Sequence, residues 1–224
     1  MKHLCIIFDL DGTLVDSERL CNQAFIDLLP FINESVDSLI LRYRGRKLAL
    51  ILADIEMRYG EKLPRDFEVT YRHRVNELFE FYLQPITGVP EMLKTLEYPA
   101  CVASSAPIAK IRQALNVTNL SHYFGVDAER LVVRHRLFSS YDVGSWKPAP
   151  GLFLYAADKM GFSPESCVVI EDSDVGIQAA YSAGIYALKY SHEEGAEEQN
   201  HVFSNMRYLI KRLDKIYLMK CDRS

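Results

Sequence analysis

The residues best able to do chemistry lie in Asp9-Leu10-Asp11-Gly12-Thr13, directly after the apolar run Leu4–Phe8. In extended chain, residues two apart point to the same side, so Asp9 and Asp11 project together from the end of a buried strand. Gly12 permits a sharp turn with the backbone close to a ligand. Two adjacent carboxylates repel, and both ionise cheaply only beside a cation or with divided roles. A divalent metal is the natural partner, and oxygens placed side by side suit Mg²⁺. An isolated Asp-x-Asp pair also serves simply to cap and turn a chain, so the rest of the sequence has to decide.

Three further segments shift the balance. Ala100-Cys101-Val102-Ala103 runs into Ser104-Ser105, which puts hydroxyls at a second strand end, before a helix whose free N–H groups favour an anion. Trp146-Lys147-Pro148 sets one lysine before a proline, which biases Lys147 to extended backbone and a fixed direction. Cys167-Val168-Val169-Ile170 ends in Glu171-Asp172, before another helical stretch. Each alone is bland. In this order, each at a strand end or in a loop feeding a helix, they form a strong joint signal.

The elements that must position these residues follow from periodicity. Leu4–Phe8, Ala100–Ala103, Cys167–Ile170 and Ile185–Lys189 are short apolar runs without polar alternation. Such runs suit strands buried on both faces of a parallel sheet. Pro107–Leu115, Gly151–Met160 and Val175–Ala183 read as helices, with proline near a start and glycine past two of the ends. Strands alternating with helices give an α/β layered fold, whose ligands bind at the carboxyl ends of the strands. Residues 17–83 break the alternation: they hold no convincing strand. The stripes Leu20/Ala24/Leu28, Leu48/Ile51/Leu52/Ile55 and Val75/Leu78/Phe79/Tyr82 predict amphipathic helices instead. The expected organisation is a core of residues 1–16 and 84–224, with an all-helical unit of residues 17–83 inserted after the first strand. Gln84–Pro90 is the return turn. Asn205–Lys220 reads as an amphipathic helix with Leu209, Ile210, Leu213 and Ile216 turned inward.

Composition narrows the partners. The 224 residues are 49% hydrophobic and 25% charged, an ordinary globular balance. With 26 basic and 30 acidic residues the formal charge is −4, which gives no global attraction to nucleic acid or an anionic membrane. No uncharged run nears the ~18 apolar residues of a membrane helix. The five apolar residues Leu4–Phe8 are too few for a secretory signal, so a cytoplasmic protein is expected. The five cysteines are scattered without zinc spacing, and Cys5, Cys101 and Cys167 lie in strand-like runs, as buried reduced thiols do.

The four chemical segments together resemble the haloacid dehalogenase superfamily, in its phosphatase-like branch with a helical cap, over essentially the whole chain. Asp9–Thr13 is similar to the family's first motif, Ser104 to the second, Lys147 to the third and Glu171-Asp172 to the fourth. The longer phrases Trp146-Lys147-Pro148 and Glu171–Ala180 are similar as well. The run Leu137–Val143 looks most like the bacterial sugar-phosphatase subgroup that includes 6-phosphogluconate phosphatase. The resemblance implies a Rossmann-like core and a Mg²⁺-dependent phosphatase acting on a small phosphorylated metabolite, and a monomer. It also implies roles. Asp9 would be the nucleophile that forms an aspartyl phosphate, and Asp11 the general acid and base. The metal would be held by the Asp9 side chain, the Asp11 carbonyl and the Asp172 side chain, with Glu171 acting through a water or as a further ligand. Ser104, Lys147 and the N–H groups of Leu10 and Ser105 would bind the phosphoryl oxygens.

The insert would then be a lid. Arg44-Gly45-Arg46-Lys47, with Arg42 just before it, occupies the place where related enzymes touch the sugar phosphate. A cationic loop suits a carboxylate or second phosphate, though it also reads as a solvated basic face. His73 and Arg74 read as surface residues, and Trp146 as either pocket wall or packing. The competing activity is β-phosphoglucomutase-type phosphoryl transfer. Such mutases carry a cap histidine near the aspartates, and Cys21 stands in that place here; Thr13 is common in the phosphatases. Dehalogenation needs neither the metal nor Asp11. A non-catalytic phosphosugar-binding protein is expected to have lost one of the four motifs. Gly125–Arg136, carrying Arg130, Arg134 and Arg136, looks longer than the usual family connection and reads as a solvated insert or a contact surface.

Overall fold

Apolar runs with no polar face need cover on both sides, and a single parallel sheet supplies it. The computed structural model describes residues 4–125, 136–193 and 201–221. Six strands, β1 (Cys5–Phe8), β2 (Ala100–Ser104), β3 (Leu137–Ser139), β4 (Cys167–Glu171), β5 (Tyr186–Tyr190) and β6 (Val202–Phe203), pair in parallel in the order β3-β2-β1-β4-β5-β6. The four expected runs are all strands. β3 and β6 span three and two residues, too short for any periodicity to register.

Alternate residues serve opposite faces. Ile6, Phe8, Val102, Val168 and Ile170 belong to one buried cluster, with Ile111, Leu115, Phe124 and Leu213. Cys5, Ile7, Cys101, Cys167 and Val169 belong to the other, with Leu152, Phe153, Ala156, Ala179 and Ala180. The covering helices are α5 (Val89–Thr95), α6 (Ile108–Val117), α7 (Ser140–Val143), α8 (Gly151–Met160), α9 (Asp174–Ser182) and α10 (Leu209–Cys221), numbered after the four of the insert. Cys5, Cys101 and Cys167 are free, buried thiols on one face of neighbouring strands. The Cys101 thiol beside it and burial both push the Cys5 thiol up, so it stays neutral.

Between β1 and α5 the chain forms α1 (Glu18–Leu28), α2 (Val36–Tyr43), α3 (Leu48–Tyr59) and α4 (Phe67–Tyr82). Ala24 and Phe25 of α1 are buried with Tyr71, Val75, Leu78 and Phe79 of α4, and the Phe25 and Tyr71 rings stack at 4.3 Å. Tyr82, placed in the same stripe by periodicity, is 64% exposed, while Phe79 before it and Leu83 after it are buried, so the packed stripe passes through Leu83 instead. Outgoing and returning chain are tied together: the Asp16 N–H donates to the Gln84 carbonyl (2.9 Å) and the Ile86 N–H to the Leu14 carbonyl (3.0 Å). The apolar cluster around Phe8 continues through Leu14 into Phe25 and Phe79. No helix among the described residues is long and apolar enough to cross a membrane.

Candidate active site

The strand order reverses at β1, with β2 and β3 on one side and β4 to β6 on the other. In such sheets the crevice beyond the carboxyl ends at that reversal is where ligands bind. Asp9 follows β1 directly, its N–H donating to the Ile170 carbonyl of β4 (2.9 Å). The turn after it is tight because the Leu10 carbonyl accepts the N–H groups of Thr13 (3.3 Å), Leu14 (2.9 Å) and Val15 (3.1 Å). Gly12 has φ +78°, and a Cβ there would lie 2.3 Å from Asp172 Oδ2. Only glycine lets the Asp172 carboxylate come this close.

The remaining groups arrive from neighbouring strand ends. Ser104 closes β2, buried, and its Oγ accepts the Ala106 N–H at 3.0 Å. Lys147, in the loop before α8 and joined to Pro148 by a cis peptide, donates from Nζ to Asp9 Oδ1 and to Glu171 Oε2 (2.7 Å). Glu171 Oε1 accepts the Ser173 hydroxyl (2.5 Å) and the Ser173 N–H (3.2 Å), while Ser173 Oγ caps α9 by accepting the Gly176 N–H (3.1 Å). Asp9, Glu171 and Asp172 are buried, and each offers an oxygen within 4.8 Å of the others. Asp172 Oδ2 has no hydrogen-bond partner among the described residues. Arg44 Nε and His192 Nε2 stand 3.7 and 3.6 Å from it, beyond hydrogen-bond reach. A second set, Glu18, Asp172 and His192, also brings ligand atoms within 4.8 Å.

Charge is unequally distributed. Burial, then Glu171, holds the Asp9 carboxyl well above the ordinary range, and Lys147 offsets only part of this. Burial likewise pushes Glu171 up. Burial also opposes the Lys147 ammonium, but Asp9 and Glu171 outweigh it and keep the lysine charged. Burial opposes charge on Asp11 too, yet there the Lys110 ammonium and the Ser17 hydroxyl prevail and hold the carboxyl below its usual range. Two carboxyls two residues apart are thus driven in opposite directions, Asp9 toward its neutral form and Asp11 toward its charged form.

The helical insert forms the opposite wall. Arg44 Nε donates to Glu18 Oε2 at 2.8 Å, and burial and Asp172 push Glu18 up to about 7 against that pairing. Gly45 (φ +71°) rests on the start of α9, where a Cβ would meet Ser173 Cβ at 2.7 Å and Val175 Cγ2 at 2.8 Å. Lys47 Nζ sits 3.9 Å above the Trp146 ring, and Arg72 Nη2 donates to the Tyr141 hydroxyl at 3.0 Å. Between the two walls is a cavity of about 270 Å³. Its lining includes Asp9, Asp11, Ser104, Ser105, Lys147, Glu171 and Asp172 from the sheet side, and Arg44, Gly45, Arg46 and Lys47 from the insert. Leu10 is buried beneath and does not line it. His73 is exposed, and Arg74 pairs with Asp27 and Glu77. Residues 126–135, with Arg130 and Arg134, lie outside the described residues.

Sequence reasoning gave no role to Ser17, Glu18, Arg72, Lys110 and Tyr141, which also line the cavity. Ser17 and Glu18 are adjacent to the first acidic segment, and that adjacency was a usable signal. Lys110 carried none, because a lysine in the first turn of an amphipathic helix reads as a solvated charge.

The model of the family described as haloacid dehalogenase-like hydrolase matches residues 6–190. A 6-phosphogluconate phosphatase from Escherichia coli (strain K12) is 33% identical over 183 residues, 80% of this chain and 79% of that protein. A fructose-1-phosphate phosphatase from the same organism is 28% identical over 191 residues, 84% of this chain and 96% of its own. Among solved structures, a conserved haloacid dehalogenase-like protein of unknown function from Agrobacterium tumefaciens superposes with a TM-score of 0.78 at 27% identity, covering 95% of this chain and 98% of its own. The match across the parallel sheet and its acidic crevice means that this chain belongs to the haloacid dehalogenase-like hydrolase family.

Proposed function

We propose that the chain is a Mg²⁺-dependent phosphatase that hydrolyses a small phosphorylated metabolite through a phosphorylated Asp9. The substrate class is a sugar phosphate or a sugar-acid phosphate such as 6-phosphogluconate. The observation that carries this reading is Asp172. Its buried Oδ2 has no hydrogen-bond partner among the described residues, with Arg44 Nε and His192 Nε2 only at 3.7 and 3.6 Å, and it shares a 4.8 Å cluster with two more carboxylates that have one lysine between them. A buried carboxylate oxygen left without a hydrogen bond is costly. An all-oxygen donor set fits a hard dication, so the residues present fit Mg²⁺.

The Asp9 and Asp172 side chains and the Asp11 carbonyl would hold the ion. Glu171 already has both oxygens engaged by Lys147 and Ser173, which favours action through a water. Bound there, the ion supplies positive charge against the phosphoryl oxygens. Ser104, Lys147 and the N–H of Ser105, which line the cavity, hold those oxygens, and Leu10, expected to join them, does not line it. Attack needs Asp9 ionised and Asp11 protonated, the reverse of the balance that burial and Lys110 set without an ion, so the positive charge of the ion on Asp9 and the negative charge of the substrate beside Asp11 have to invert it. An Asp9 oxygen then bonds to phosphorus as the ester P–O bond breaks, while Asp11 gives its proton to the departing oxygen. Asp11 then takes a proton from a water whose oxygen attacks the phosphorus. The Asp9–phosphate bond breaks, inorganic phosphate leaves, and both aspartates return to their starting state.

The names of the two Escherichia coli relatives support a phosphorylated sugar as substrate. The cavity, about 270 Å³, lies near the ~300 Å³ lower limit of small-molecule sites, which supports a metabolite-sized ligand. Residues 17–83 act as a cap that excludes bulk water when seated. Gly45→Val tests the seating. Its side chain would push on Ser173 and so on Glu171. It is expected to lower kcat/KM by about tenfold or more and the melting temperature by about 2–8 °C. Unchanged kcat/KM in a folded variant would remove the closure argument.

The direct test is release of phosphate from p-nitrophenyl phosphate with and without Mg²⁺, followed by a screen of sugar and sugar-acid phosphates. No metal-dependent turnover would overturn the reading. With β-glucose 1-phosphate, glucose 6-phosphate appearing faster than free phosphate would replace hydrolysis with phosphoryl transfer between sugar positions.

A further inference from the structure

Lys110 reaches from α6 to the end of β1. Its Nζ donates to Asp11 Oδ1 at 2.9 Å, stands 3.7 Å from Cys21 Sγ of α1, and lies 5.4 Å from the centre of the Phe79 ring of α4. The Ser17 hydroxyl donates to the same Oδ1. Two donors from different elements therefore converge on one oxygen of one carboxylate. The Asp11 side chain is 28% exposed and lines the cavity, and among the described residues its Oδ2 takes no hydrogen bond. Once one oxygen carries an ammonium and a hydroxyl, rotation about Cβ–Cγ is fixed and the two oxygens are no longer interchangeable.

We propose that Lys110 is a positioning residue for Asp11. With Ser17 it occupies Oδ1 and reserves Oδ2 for the proton that moves to the leaving oxygen and is later taken from water. This rests on the phosphatase reading and adds to it a residue outside the four motif segments. The alternative of a mere helix anchor is weakened by a separate tie of α6 to the insert, in which Gln113 Nε2 donates to the Asn76 carbonyl of α4 at 3.2 Å. Direct binding of substrate by Lys110 is the other alternative. It differs because the ammonium is only 20% exposed and already bonded to Asp11.

Leaving-group dependence separates these roles. An alkyl phosphate such as glucose 6-phosphate needs its departing oxygen protonated, whereas p-nitrophenolate leaves with little help. Lys110→Met keeps the apolar stem against Phe79 and removes the charge. It is expected to lower kcat/KM for the alkyl ester by about 100-fold and for p-nitrophenyl phosphate by less than about tenfold. The inhibition constant of inorganic phosphate is expected to stay within about twofold. Lys110→Arg, which retains charge and donors, restores most of the alkyl-ester rate. Ser17→Ala removes the other Oδ1 donor without touching Lys110 and gives the same signature at smaller amplitude. Equal losses on both esters, in either the Lys110→Met or the Ser17→Ala variant, would overturn the proposal in favour of an anchor. A raised phosphate inhibition constant with the leaving-group difference gone would overturn it in favour of substrate binding. A wild type that hydrolyses neither ester fails the phosphatase reading itself, a result distinct from both.

Discussion

Asp9→Asn is expected to abolish turnover while raising the melting temperature of the metal-free protein. The loss of kcat follows from replacing the attacking oxygen with an amide, and is on the order of 10⁴-fold or more. The gain in stability follows from the surroundings of Asp9. It is buried beside Glu171 and Asp172, and Lys147 is already shared with Glu171. A carboxyl whose folded-state pKa lies above its ordinary 3.8 costs stability once the pH rises past that value, and costs none below it. The melting temperatures of wild type and variant should therefore separate at pH 7 and converge as the pH falls toward 3.8. Added Mg²⁺ should stabilise wild type more than Asp9→Asn, because the variant lacks one ligand charge. Thermal scans at two pH values, with and without Mg²⁺, check each part. A variant less stable than wild type at pH 7 without metal would show that the three carboxylates do not repel as described.

Lys147→Met is expected to fail in the opposite direction. The lysine is 4% exposed and is the one cation bonded to both Asp9 and Glu171 among the described residues. Removing it strands two buried carboxylates, a change that costs about 3–5 kcal/mol. For a chain of this length that corresponds to about 6–20 °C in melting temperature. Turnover is expected to fall by roughly 10³-fold, since a positive contact to the phosphoryl oxygens goes with it. Mg²⁺ should recover a larger share of the lost melting temperature than it adds to wild type, because a dication in the cluster takes over part of the neutralisation. A loss below about 1 kcal/mol, the value of an exposed pair, would mean that Lys147 does not offset the buried charge. The two variants form a pair: one removes a buried anion and the other its cation, so opposite signs in stability with the same sign in activity are the joint signature.

Much of the fold was legible because buried parallel strands and amphipathic helices leave period-based signatures. Cys5–Phe8, Ala100–Ser104, Cys167–Glu171 and Tyr186–Tyr190 lie within a residue or so of the apolar runs, and Gly151–Met160 ends where Gly161 follows. The short strands Leu137–Ser139 and Val202–Phe203 were not legible, because pairing with β2 and β5, not local pattern, makes them strands. Helix Val36–Tyr43 buries only Leu39 and Tyr43, too few apolar positions to mark a stripe.

The sequence by itself determined which groups end the strands: Asp9 after the first, Ser104 on the second, Glu171 and Asp172 at the fourth. Strand chemistry is local, and a residue's place at a strand end follows from where its apolar run stops. Only the tertiary structure decided how those groups share charge. Lys147 bonds Asp9 and Glu171 across long stretches of chain, and Lys110 reaches Asp11 from another helix. It also decided that Arg44 pairs with Glu18 and that Gly45 is the residue against which α9 begins. Side-chain charges interact over a few ångströms of space regardless of separation in sequence, so their partners are fixed by packing and leave no period to read.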